Sequence, residues 1–94
     1  MQKNSYEKPK RAVALKYDRQ KDDAPKVVAS GKGYVAETII KLAQENNIFI
    51  KKDEDLVELL SKVEVNKEIP DNMYKAIAEI FSFIYKMSNK DKLL

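Results

Sequence analysis

From residue 11 onward the chain alternates between apolar and polar positions. Val13, Leu15 and Tyr17 fall on one side of an extended segment, with Ala12, Ala14 and Lys16 on the other. That is the period-2 signature of a half-buried strand. The small alanines leave room for a helix to approach the second side closely. The connection DRQKDDAP, residues 18–25, is rich in turn formers and ends at Pro25, which has no backbone donor. Lys26-Val27-Val28-Ala29 reads as a short β-branched strand. SGKG, residues 30–33, breaks that strand and starts a helix. Residues 34–46 then place Val35, Ile39, Leu42 and Ala43 on one helical face. Ile48-Phe49-Ile50 is too short for a helix and reads as a buried third strand. In KKDED, Asp53 is the expected cap of a helix carrying Leu56, Leu59, Leu60 and Val63. Ile69-Pro70-Asp71 introduces the last helix, to about Met87. The expected fold is α/β (α+β): a small mixed sheet of about three strands packed with three helices, in the order β-β-α-β-α-α.

The last helix carries two apolar stripes. Met73, Ile77, Ile80 and Ile84 form the first, and Tyr74, Ala78, Phe81 and Tyr85 the second. At ~100° per residue the combined face spans roughly 200° of arc, about twice what a surface helix needs. Either the helix lies between the sheet and a neighbouring helix, or the second stripe partly faces water and meets a partner. The pattern alone leaves both open.

Composition narrows the function classes. The 94 residues suffice for one domain, and a chain of that size buries roughly 60–65% of its unfolded surface. The expected organisation is a flexible basic leader at residues 1–10, a single domain at 11–87 and a frayed tail at 88–94. There is no cysteine and no histidine, which removes disulfides, thiol chemistry, the commonest general base and the commonest metal ligand. The apolar run from Ile80 to Tyr85 falls far short of the ~20 residues a membrane helix needs. The leader has no apolar segment of the secretory kind. The net charge of +3 comes from 18 basic and 15 acidic residues, a mixed surface rather than a cationic one.

Little local chemistry is legible. SGKG lacks the spacing of both the GxxxxGK[ST] and GxGxxG phosphate motifs and reads as a turn. Asp53-Glu54-Asp55 lacks the alternating oxygen ligands and glycine of a calcium loop, and is better explained as a helix start favouring negative charge. No metal or cofactor is expected. Lys3, Lys8, Lys10 and Arg11 could touch nucleic acid or anionic lipid, but Tyr6 is the one aromatic interleaved with them. A small basic nucleic-acid-binding domain is therefore kept as the alternative. No nucleophile–base pair is visible, so the residues by themselves describe an α/β binding module.

Three separated blocks add a resemblance. AVALKYD, then APKVVASGKGYVAETIIKLAQENNI, then VEVNKEIPDNMYKAIAEIFSFIY are similar, in that order, to the C-terminal cytoplasmic domain of the FlhB family. These are the export-switch proteins of flagellar and related type III secretion systems. The resemblance covers roughly residues 12–87. It implies that the four positions of the family's self-cleaving Asn-Pro-Thr-His motif are occupied here by Glu7, Lys8, Pro9 and Lys10. Glu7 stands where the cyclising asparagine would be, and no Asn-Pro occurs in the chain. The chain thus resembles the fragment left after cleavage, free-standing and without a membrane anchor. EDLVELLS, residues 54–61, departs from the family's pattern, with Glu54 and Asp55 replacing a proline pair.

The resemblance also implies a function. The family recognises early export subunits through a shallow apolar patch, whose positions fall here on Ala24, Pro25, Ala78 and Phe81. Two of these lie on the second stripe. The expected protein is a non-enzymatic binding module of the export apparatus, at the cytoplasmic face of the inner-membrane export gate. Its expected partners are early rod- or hook-type export substrates, the length-control protein, a full-length FlhB paralogue or other export-gate components.

Overall fold

A computed structural model describes residues 11–18 and 20–93, with residues 86–93 described by backbone alone. Strands β1 (Arg11–Lys16) and β2 (Lys26–Lys32) pair antiparallel, from Arg11 opposite Lys32 to Lys16 opposite Lys26. The register shifts between Ala14, opposite Ala29, and Leu15, opposite Val27, so Val28 has no counterpart and is exposed. This bulge turns Val27 to the same side as Leu15.

The two sides of the hairpin are covered differently. Val13 and Leu15 pack against a buried cluster of Val27, Leu60, Ile69, Met73 and Ile77, joined by Leu56, Val63 and Phe81. On the other side α1 (Tyr34–Glu45) lies across both strands. Ala12 and Ala36 are both buried there, and the small side chains let helix and hairpin approach closely. The approach is also close at Gly31, where an added Cβ would run into the Val35 side chain. Gly33, with φ of 61°, makes the turn from β2 into α1.

The buried face of α1 centres on Ala36, not on the expected Val35–Leu42 line. Val35 is 54% and Leu42 52% exposed, while Ile39, Ile40 and Ala43 are half-buried. An alanine adds little to a hydrophobic pattern, yet its size decides which face of the helix fits the hairpin.

The expected third strand at Ile48-Phe49-Ile50 does not form. Asn47, at φ 57°, ends α1 with its N–H bonded to the Gln44 carbonyl, while Ile48 N–H reaches back to the Ala43 carbonyl at 2.8 Å. This is the Schellman closure. It delivers Ile48 to the surface, 59% exposed.

Residues 66–69 pair with β2 instead. Val27 N–H donates to the Lys67 carbonyl (2.9 Å) and Ile69 N–H to the Pro25 carbonyl (2.9 Å), around a single antiparallel bridge between Lys26 and Glu68. Asn66, at φ 76°, turns the chain into this pairing and donates its own N–H to the Val27 carbonyl.

Helix α2 (Glu54–Leu60) starts as expected: Asp53 Oδ1 accepts from Leu56 N–H at 3.1 Å. It buries Leu60 and leaves Leu59 exposed. A 3-10 turn at Asp71–Met73 leads into α3 (Tyr74–Leu93), whose helical backbone continues beyond Met87, where the apolar periodicity stops.

Candidate docking surface

The end of the hairpin that carries Lys16 and Lys26 is shaped by the loop between the strands. Lys21 and Asp22 N–H groups both donate to the Asp18 carbonyl, and the Asp22 carboxylate accepts from Asp18 N–H at 2.9 Å. Gln20 N–H is held by Asp18 Oδ1. The aspartates thus replace missing backbone partners, as turn-forming aspartates do. The chain then enters β2 through Ala24 and Pro25. Pro25 is half-buried, and its carbonyl is the acceptor for Ile69.

Helix α3 supplies the rest. Met73 and Ile77 enter the core, Ile77 at 1% exposure. Ile80 and Ile84 are half-buried, so the first stripe is the packed one. On the second stripe Tyr74 and Ala78 are exposed, while Phe81 and Tyr85 are half-buried. Phe81 packs against the core cluster and meets Tyr17 edge-on, with ring centroids 5.6 Å apart. Alternation along β1 puts Tyr17 on the same side as Val13 and Leu15, as expected. Ile69 joins the two halves of the surface. Its N–H is bonded to Pro25, and its side chain belongs to the cluster that Phe81 flanks.

Of the four expected patch residues, the structure places three where a partner could touch them. Ala78 is exposed, and Pro25 and Phe81 are half-buried. Ala24 is 2% exposed. Its methyl group is packing, and it has no side-chain surface to offer. Tyr74 belongs to the expected second stripe, whereas Tyr17 was expected only on the apolar side of the first strand. Only the fold brings Tyr17 to Phe81.

The rim is acidic. The Tyr74 phenol is held above its ordinary value by partial desolvation, by a hydrogen bond to Asp71, and by the negative charges of Asp71, Glu68 and Asp23. The arrangement offers apolar contact and hydrogen-bond acceptors. Among the described residues no three potential ligand side chains gather to hold a metal ion. No described helix is long and apolar enough to cross a membrane. Glu7, Lys8, Pro9 and Lys10 lie outside the described residues.

Residues 9–84 match the model of the family described as FlhB HrpN YscU SpaS. The chain belongs to that family. Its members include the flagellar and type III secretion export-switch proteins. The chain is 51% identical to Bacillus subtilis YlqH over 83 residues, covering 88% of this chain and 89% of YlqH. It is 38% identical over 80 residues to the flagellar biosynthetic protein FlhB of Bacillus subtilis, covering 84% of this chain but 22% of that protein. Among solved structures, the cytoplasmic domain of FlhB from Shewanella putrefaciens superposes with a TM-score of 0.77 at 30% identity, covering 87% of this chain and 64% of that one. The FlhB-like domain therefore accounts for most of this chain and for about a fifth of the Bacillus FlhB. The α+β architecture of helices around a small sheet is the family's.

Proposed function

We propose that this FlhB-like chain is a non-enzymatic docking module of the flagellar or related type III export apparatus. It acts on the cytoplasmic side, at the export gate. It presents the surface of Pro25, Ala78 and Phe81 to export substrates of the early rod or hook type, or to the length-control protein. The observation that carries this reading is the division of labour on α3. Ile77 is fully packed, while the adjoining flank leaves Ala78 exposed beside a half-buried aromatic ring. A shallow apolar step of that kind suits an anchor residue of an unfolded or partly folded partner. The non-enzymatic part rests on Glu7: a carboxylate lacks the amide nitrogen with which the family's asparagine closes its ring.

The test pairs a binding titration against an early export subunit with a melting curve for Ala78→Asp. The site is exposed, so stability should change by no more than about 0.5 kcal/mol. Binding should weaken by at least ~1–2 kcal/mol, because the partner must desolvate a new charge. Undiminished binding by a stably folded variant would sink the reading.

A further inference from the structure

At the opposite end of the hairpin from Pro25, β-pairing sets Arg11 directly across from Lys32. Like charges at opposed ladder positions destabilise the pair. Neither side chain has a hydrogen bond or ion pair among the described residues. Both line a hollow of about 260 Å³, together with Ser30, Gly31 and Ser61. Alternation along the strands puts Arg11, Ser30 and Lys32 on the same side of the hairpin. Ser61 Oγ is committed to the Glu58 carbonyl at 2.7 Å, so it borders the hollow without donating into it. The Ser30 hydroxyl has no such commitment among the described residues. Among the described residues no carboxylate lines the hollow.

We propose that this hollow is a binding site for a phosphate-type oxyanion. The guanidinium of Arg11 supplies a planar fork of N–H donors, matched to two oxygens of one phosphoryl group. Lys32 adds a compact positive charge, and Ser30 a third kind of donor from the same strand. The anion cancels the Arg11–Lys32 repulsion, so binding stabilises the open end of the hairpin. Ser30-Gly31-Lys32 belongs to the SGKG run that fails the phosphate-loop spacing. Here it acts through side chains at a strand end, not through amides at a helix start. Free phosphate and the phosphate of an anionic lipid headgroup present the same chemistry to these donors.

The experiment is an amide chemical-shift titration of the full chain with inorganic phosphate at low ionic strength, with chloride as the control. Arg11→Gln/Lys32→Gln is titrated beside it. Glutamine keeps much of each aliphatic stem, and loss of the repulsion should leave the variant's melting temperature in phosphate-free buffer equal or higher. Saturable shifts at Ser30, Gly31 and Lys32, with about tenfold weaker binding in the variant, support the site with free phosphate as ligand. If phosphate gives no saturable shifts, binding to phosphatidylglycerol vesicles that the double substitution abolishes supports it with a headgroup as ligand. Failure of both arms overturns the proposal. So does binding in either arm that the double substitution leaves unchanged.

Discussion

The rings of Tyr17 and Phe81 meet edge to face, their centroids 5.6 Å apart and their planes inclined by 60°. Tyr17 lies just past the end of β1, and Phe81 lies two turns into α3, so the contact ties the hairpin to the helix that carries the candidate docking surface. Such pairs contribute about 0.5–1.5 kcal/mol beyond the area they bury. A double-mutant cycle of Tyr17→Ala and Phe81→Ala should therefore return a coupling energy of about that size. Strictly additive effects on the denaturation midpoint would show that the rings stabilise the fold independently.

Ile77 and Ala24 are core positions of opposite kinds. Ile77→Ala removes atoms from a packed cluster and should destabilise by ~2–5 kcal/mol. Ala24→Asp forces a charge into a site that is 2% exposed. It should reduce stability by at least ~3 kcal/mol, more than any exposed substitution would. Urea titrations of both variants check this. A near-neutral Ala24→Asp would mean that the methyl group lies at the surface and belongs to the docking patch after all.

Asp53 tests a smaller effect. Its carboxylate accepts from Leu56 N–H at the start of α2, a helix of only seven residues. Asp53→Asn keeps an acceptor and should change little, whereas Asp53→Ala should cost about 1 kcal/mol. Equal losses in the two variants would point to the carboxylate's charge as the stabilising feature.

What could be read from residues alone follows the range of the interactions. β1, the start of β2, the Asp53 cap and the Ile77 stripe depend on neighbours a few positions away, and each emerges from local periodicity or side-chain chemistry. The pairing of residues 66–69 with β2 depends on a left-handed turn at Asn66 and on the Pro25 carbonyl, some forty positions earlier. Ile48-Phe49-Ile50 has the better strand composition, yet the closure at Asn47 carries it outward. The candidate docking surface divides in the same way. The second stripe, with Ala78 and Phe81, was legible as an apolar excess on α3. The burial of Ala24 and the arrival of Tyr17 beside Phe81 are tertiary facts that no window of sequence contains.

Tyr74 gives the fold's stability a pH dependence whose sign can be worked out. Its phenol has an ordinary value of 10.0 and is raised in the folded chain by desolvation, by the hydrogen bond to Asp71 and by the charges of Asp71, Glu68 and Asp23. A raised value means that the folded state favours the neutral phenol more than the unfolded state does. That contribution to stability is fully present below pH 10.0 and is lost as pH rises through the folded-state value. Wild-type protein should therefore lose stability more steeply above pH 10.0 than Tyr74→Phe, which has no phenol to ionise. The two should have parallel pH profiles below it, offset only by the lost hydrogen bond. Denaturation midpoints across the alkaline range, with ultraviolet absorbance to follow phenol ionisation, provide the measurement. Identical alkaline slopes would place Tyr74 outside the field of the three carboxylates.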